Sequence, residues 1–410
     1  MKQDSAGLYR RSPWEATGIA CVAHHPAGWM AQDARLLPLD CDAAEGSRTG
    51  ADGLKRVLLA SARNWTGVAR LPSTLGPAGL EVHLLDSGDT QASSSCWNAS
   101  CEVFRGRPRA LAQRLLEVAP SYDRVIACDE PLLSALVAAA DSRADVFLPA
   151  PRETLGALLD KTRFPTVAAA AGIRVPRSLV ANTRDEAEAA FAEIGAGVFV
   201  KGAHGVAGKV VRSADDAGSA GAAAAELGWP VLIEQKVEGD SRLMPCLFER
   251  GVLVAAMSVS RLCTVGPNGP STINAILPVS GELASLAEKA ARAFCLHGFV
   301  SIDYFEPSDG TGPTVLEINP RPVPQLHLGR RVGVDMAASL HDVMSGVFDG
   351  RSRLSGTSAR VVLFPQELHR LRSKHGKVRG TLRWMRARDA LSDVPWDDAS
   401  LVWRHLRRAD

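Results

Sequence analysis

No apolar run in the 410 residues approaches the roughly 18 that a membrane-crossing helix needs. The N-terminus has no basic start followed by an apolar stretch, so no secretory leader is expected. Acids and bases nearly balance, and the net charge of +2 gives no global reason to expect nucleic acid or an anionic membrane as a partner. Eight cysteines are scattered along the chain, with Cys96 and Cys101 the only close pair. No second Cys or His pair lies nearby to complete a zinc site, so reduced, mostly buried thiols in a cytoplasmic protein are the expectation. Two glycine signatures are also missing. The turn Ser61-Ala62-Arg63-Asn64-Trp65-Thr66-Gly67 lacks the fingerprint that brings a backbone close to a pyrophosphate, and no Gly-Lys-Ser/Thr P-loop occurs in the later glycine-rich loop.

What is present is ordinary globular material, 46% apolar and 22% charged, over a length that predicts two or three packed units. Residues 1–52 carry no sustained periodicity and read as an irregular extension. In 53–150, short apolar runs (Val57 to Ala60, Val82 to Asp86, Val125 to Cys128) alternate with a helical stretch from Arg109 to Val118, the pattern of a small parallel α/β domain. Residues 151–350 mix helices with antiparallel strands, an α+β signature. There the spacing predicts one helix from 151 that Gly172 stops, and a second over 184–194 started by Thr183. Strands follow at 198–201, 210–211, 231–233 and 251–256. A helix over 281–296 then leads into the strand pair 299–305 and 314–319. Residues 351–410 form a C-terminal extension whose basic residues, from Arg370 to Arg388 and at Arg404, Arg407 and Arg408, are expected to be a solvated face.

The chemistry concentrates in 151–350. On the strand 314–319 the alternation puts Glu317 and Asn319 on one face and Leu316 and Ile318 on the other, while Asp303 interrupts the apolar partner strand. Two acids and an amide inside apolar strands are costly to bury without compensation. A bound cation supplies it, and an all-oxygen set suits magnesium. An acid facing solvent or paired with Arg321 is the plain alternative. Lys201-Gly202-Ala203-His204-Gly205-Val206-Ala207-Gly208-Lys209 joins two strands, and its glycines let backbone amides approach an anion beside a lysine charge. A flexible hairpin turn has the same composition. Glu234-Gln235-Lys236-Val237-Glu238-Gly239-Asp240 closes another strand and offers backbone groups beside an acid, which suits an adenine edge or a charged strand exit.

Taken in order, Asp160-Lys161, the Lys201 loop, Glu234-Gln235-Lys236-Val237, Asp303 and Glu317-Ile318-Asn319-Pro320-Arg321 resemble the ATP-grasp superfamily over roughly 151–346. Asn319-Pro320-Arg321-Pro322, the Gly333-Val334-Asp335-Met336 that follows, and the loop after Arg261 look like its carboxylate–amine ligase branch. The resemblance implies an ATP-grasp fold preceded by a small parallel α/β domain, with ATP and Mg2+ (or Mn2+) as cofactors. Lys161 and Lys201 would bind the ATP phosphates, with the loop containing Gly205 and Gly208 folded over them. Glu234 and the backbone of Gln235, Lys236 and Val237 would hold the adenine, and Glu238 or Asp240 the ribose. Asp303, Glu317 and Asn319 would ligate the metal, and Arg321 would stabilise the transferring phosphoryl group. Arg261, Arg330 and Arg331 are candidates for holding a substrate carboxylate, and His204 and His327 for a general base.

The implied reaction is ATP-dependent activation of a carboxylate as an acyl phosphate and its transfer to an amine. The implied partners are those two small molecules, with a homodimer as the candidate assembly. A carboxylase-type enzyme activating bicarbonate or formate is the rival within the family, and a non-catalytic nucleotide-binding subunit the rival outside it.

Overall fold

In the computed structural model the described residues run from Leu54 to Arg407, apart from 89, 196, 206–209, 267–268 and 308–309. The N-terminal segment expected to be an irregular extension, and Gly208, therefore lie outside the described residues. Among the described residues no helix is long and apolar enough to cross a membrane.

Strands β1 (Lys55–Ser61), β2 (Leu80–Asp86), β3 (Asn98–Val103) and β4 (Arg124–Ala127) form a parallel sheet in the order β3-β2-β1-β4. Val57, Leu58, Leu59 and Ala60 are all buried because the sheet is covered on both faces: Leu58 and Ala60 pack into one core, Val57 and Leu59 into the other. The sequence pattern missed β3. As an edge strand of Asn, Ser, Cys and Glu it is almost wholly exposed and leaves no hydrophobic signature.

The strand order reverses between β1 and β4, so the loops at their carboxyl ends bound a crevice. Asp129 fixes both loops. One of its oxygens accepts from the Ser61 hydroxyl (2.9 Å) and the Ala62 and Arg63 amides (2.6 and 3.0 Å). The other accepts from the Leu132 amide at 2.9 Å and caps the helix Glu130–Ala139. Trp65 and Glu130 are thereby held at one end of the sheet.

The helix expected from 151 is two helices, Arg152–Leu159 and Phe164–Ala170. Asp160 turns its carboxylate onto the Thr162 amide and hydroxyl (2.9 and 2.6 Å), a local bond that competes with the helix. The break leaves Lys161 in a turn, its amide donating to Ala203 O at 2.9 Å. Strands β5 (Ser178–Ala181), β6 (Val198–Gly202), β7 (Val211–Ala214) and β8 (Val231–Gln235) form an antiparallel sheet ordered β5-β8-β6-β7. Helix Arg184–Ile194 packs on it as expected, with Thr183 accepting from the Glu186 amide. The helix Ala217–Leu227 beside it was not legible. Its alanines and glycines carry little amphipathic contrast, and a capping box of Asp216 and Ser219 starts it.

The largest sheet holds β9 (Asp240–Glu249), β10 (Val252–Ala256), β11 (Ser258–Thr264), β12 (Ser271–Leu277), β13 (Gly298–Glu306), β14 (Thr314–Asn319), β15 (Arg353–Leu354) and β16 (Ala359–Val362). Its main path runs β14-β13-β9-β11-β12-β16, with β10 and β15 branching from β9. The 351–410 segment adds β16 to the β12 edge and then packs on the first sheet's loops. Asp398 accepts from the Ser95 hydroxyl and, at 3.1 Å, the Cys96 amide, and Arg404 donates to Ser94 at 2.7 Å. The basic run is thus only partly a solvated face, since Arg372 is buried and donates to the Thr381 hydroxyl at 2.9 Å.

His297 ties the sheets together beside Arg124 of β4 and Glu249 of β9. Burial first, then the Arg124 and Arg250 charges, push its imidazole down to about 3 from an ordinary 6.5. Glu249 pairs with Arg124 at 3.0 Å and lies 3.4 Å from the ring. The neutral ring therefore contributes stability that is present above pH 6.5 and is lost as the pH falls towards 3. We expect the thermal midpoint of the wild type to drop between pH 6.5 and 4 more steeply than that of His297→Gln. Parallel curves would remove His297 as a source of the acid sensitivity.

Candidate active site

The cleft is built where the β5–β8 sheet faces the β14 edge of the large sheet. Glu130, Lys161, Lys201, Glu234, Glu317 and Asn319 contribute its polar lining. Leu158, Leu159, Phe164, Leu232 and Leu316 make the apolar wall.

Asp303 and Glu317 are direct partners in the β13–β14 ladder, as are Ser301 and Asn319, so all four side chains share a face. The register shifts just beyond, where Tyr304 pairs with Val315 and Leu316 is skipped. This bulge corrects the simple alternation. Val315 and Ile318 both enter the core, and Leu316 turns into the cleft wall.

The two acids have opposite characters. Burial, then the Glu317 charge, raise Asp303 to about 6, against the pull of Arg261 and Arg321. Burial alone would also raise Glu317, but Lys161, Lys201, the Asn319 hydrogen bond and Arg321 overcome it and hold the carboxyl at about 2. Lys161 Nζ lies 3.3 Å from Glu317 Oε2, and Asn319 Nδ2 donates to Glu317 Oε1 at 3.1 Å. Ser301 donates to Asp303 Oδ1 at 3.2 Å, and Arg261 approaches Oδ2 at 3.4 Å. Among the described residues no group of three or more His, Cys, Asp or Glu side chains is placed to hold a metal. Two facing carboxylates and an amide are nevertheless a fitting set for magnesium, which takes few protein ligands and keeps water or phosphate in the rest of its shell.

Lys201 and Glu234 form a close ion pair at the other side of the cleft, Glu234 being only 2% exposed. The two lysines thus divide the cleft, Lys161 beside Glu317 and Lys201 beside Glu234. Beyond Glu234, the Gln235 amide donates to Arg177 O (2.9 Å) and the Lys236 amide to Gly197 O (3.1 Å). Both are consumed by the fold. Lys236 Nζ pairs with Asp215 at 2.5 Å. Asp240 is exposed and pairs with Arg242 at 3.1 Å, whereas Glu238 has a buried oxygen without a hydrogen-bond partner. Gly205 adopts φ +142°, where a Cβ would meet the Val210 side chain at 2.6 Å.

Arg321 is held from three sides. Its Nε and Nη2 donate to Glu130 Oε1 at 3.1 and 3.0 Å, and Nη2 also donates to Asn319 Oδ1 at 3.0 Å. Its guanidinium carbon lies 4.7 Å from the centre of the Trp65 ring. Sequence reasoning missed Glu130 and Trp65, although Asp129-Glu130-Pro131 after an apolar strand is a helix-start signal at a strand's carboxyl end.

Other expectations are corrected. Arg330 donates to Asp335 (2.6 Å) and Thr74 O (2.8 Å), and Arg331 to Ser392 O, so both tie segments together. His327 is largely buried on Asp393 at 2.8 Å, its imidazole lowered by burial and then by Arg70, and it serves as a structural link to the C-terminal segment. His204 is exposed and meets Leu159 O at 3.1 Å.

No protein-family profile and no curated protein matches the sequence. Solved structures do match its fold. An L-amino acid ligase from Bacillus licheniformis superimposes with a TM-score of 0.56 at 15% identity, over 76% of this chain and 80% of that one. N5-carboxyaminoimidazole synthetase from Staphylococcus aureus, complexed with ADP, gives 0.59 at 13% identity over 75% and 82%. The biotin carboxylase domain of Hydrogenobacter thermophilus 2-oxoglutarate carboxylase, solved as a dimer with MgADP, ADP and bicarbonate, gives 0.56 at 16% over 73% and 71%. The chain has an ATP-grasp fold. In ATP-grasp terms the cleft lies between the β5–β8 sheet and the large sheet, with the parallel sheet contributing Glu130 to its lining and Trp65 against Arg321.

Proposed function

We propose that the protein is an ATP- and Mg2+-dependent ligase that activates a carboxylate as an acyl phosphate and transfers it to an amine, releasing ADP and phosphate. One observation carries this reading: Lys161, Lys201, Glu317 and Asn319 line a single cleft with an apolar wall, where Asp303 pairs with Glu317 in the strand ladder and Arg321 donates to Asn319. The apolar wall with Leu232 and Leu316 suits a planar purine, and the Val237 amide its ring nitrogen. Lys161 and Lys201 would bind phosphate oxygens, and Asp303, Glu317 and Asn319 would hold Mg2+ against them. When bound, the metal neutralises phosphate charge during transfer. Arg321, beside the metal set and facing the crevice of the parallel sheet, would stabilise the transferring phosphoryl group. Arg261 would hold the substrate carboxylate, displacing its long contact with Asp303.

The reaction class is tested by screening phosphate release from ATP and Mg2+ over pairs of amino acids and small carboxylic acids. Release that needs both an acid and an amine supports the ligase reading. Release with bicarbonate and no carboxylic acid would replace it with carboxylase chemistry, and no turnover with any acid would leave a nucleotide-binding subunit.

The Lys201–Glu234 pair makes its own prediction. Lys201→Met should lower the melting temperature, because it leaves a nearly buried carboxylate unpaired. Lys201→Met/Glu234→Gln should recover the stability but bind ATP at least about tenfold more weakly than wild type, as expected for loss of a charge-assisted phosphate contact. Wild-type ATP affinity in the double variant, read by titration calorimetry, would remove Lys201 from the nucleotide site.

A further inference from the structure

We infer that Trp65, on the loop that follows β1, is a positioning residue for Arg321. The inference deepens the proposed function and rests on its reading of Arg321 as the group that acts on the transferring phosphoryl. An arginine in that role must present its planar fork in one orientation, because charge develops at fixed oxygens and a reorganising donor loses much of its effect. Arg321 comes from the short segment after β14, so its own strand determines where its Cα sits but not where its guanidinium points. Glu130 and Asn319 hold the edge of the fork through hydrogen bonds near 3.0 Å. Edge contacts leave the plane free to roll about the line joining them. The Trp65 ring, 4.7 Å from the guanidinium carbon, supplies the missing face contact.

Trp65 is itself located by its surroundings. A Cβ on Gly67 would fall 2.0 Å from the far edge of the indole, so the ring lies directly over that glycine. The indole Nε1 is buried with no hydrogen-bond partner, so the ring is not held there for a polar contact of its own. The loop is anchored at its start by the Asp129 carboxylate, which also caps the helix that begins with Glu130. One acid thus fixes both of the groups that the parallel sheet sends to Arg321. The parallel sheet completes the reactive end of the cleft rather than only supporting it.

Two substitutions separate positioning from folding. Trp65→Leu removes the aromatic face and Trp65→Phe keeps it. Gly67→Ala leaves the indole in place chemically but displaces it, and it favours the local helix rather than weakening it. Trp65→Leu and Gly67→Ala should each lower kcat about tenfold, ~1.4 kcal/mol in the barrier, with ATP affinity unchanged. Trp65→Phe should restore most of the loss. In an Arg321→Lys background, which lacks the planar fork, Trp65→Leu should cost little further, the non-additivity expected of residues acting as a unit. Equal losses in both backgrounds, or loss in Trp65→Phe as deep as in Trp65→Leu, would overturn the inference. Failure of the underlying reading looks different: Arg321→Lys alone would then leave kcat at the wild-type value.

Discussion

Glu317→Gln is expected to fold normally and to lose at least about a hundredfold in kcat, with its Mg2+ requirement shifted to higher concentration. Glu317 is the more acidic member of the facing pair, held at about 2 against its burial by Lys161, Lys201, Asn319 and Arg321. It is therefore the more readily ionised of the two, which suits it to be the anionic ligand in the proposed metal set. Glutamine is isosteric and can still meet Asn319, so the packing of β14 is preserved while one negative charge is lost. The loss has a second consequence. Lys161, 3.3 Å from Glu317, would no longer be opposed and would draw nucleotide phosphate by itself. ATP binding measured without Mg2+ should accordingly be retained or strengthened in this variant, while turnover at saturating ATP collapses. A Mg2+ titration of phosphate release checks the first effect and calorimetry with ATP the second. Wild-type turnover at limiting Mg2+ would remove Glu317 from the metal set.

Arg321→Ala should be the most damaging single change, on the order of 10³-fold in kcat, the scale at which arginines that neutralise a transferring phosphoryl group act. Arg321→Lys should recover only part of this, because an ammonium restores the charge but neither the planar fork nor the stacking face. Nucleotide affinity should barely move in either variant if the guanidinium acts mainly in the transition state. A change in ATP affinity alone would assign Arg321 to ground-state binding instead. Arg321→Ala leaves Glu130 without its partner, and at 19% side-chain exposure that carboxylate can be partly rehydrated, so the fold should survive.

The hairpin carrying Asp303, Glu317 and Asn319 was legible because strand alternation is strict enough to make acids inside apolar strands conspicuous. The same rule failed one residue away, where the bulge at Leu316 depends on the pairing of two strands rather than on either sequence. Lys161 lines the cleft but was expected on a continuous helix. Only the local Asp160–Thr162 bonds reveal the turn that aims it at the cleft. Arg330 and Arg331 looked as available as Arg261, since nothing in one sequence says which arginine will find Asp335 or a backbone carbonyl 61 residues away. Glu130 and Trp65 were missed for the related reason that their partner, Arg321, lies 191 residues from Glu130 along the chain. Short-range chemistry could be read from the sequence. Contacts that depend on how the sheets meet could not.

The phosphorus products of one complete reaction test the central claim most directly. With ATP, Mg2+ and a carboxylate–amine pair that supports turnover, phosphorus NMR should show ADP and inorganic phosphate in equal amounts. When the acid carries oxygen-18 in its carboxylate, one labelled oxygen should appear in the released phosphate, because an acyl phosphate keeps that oxygen on phosphorus when the amine displaces it. AMP and pyrophosphate as the products, or ADP with phosphate that carries no label, would contradict activation of the carboxylate by phosphoryl transfer.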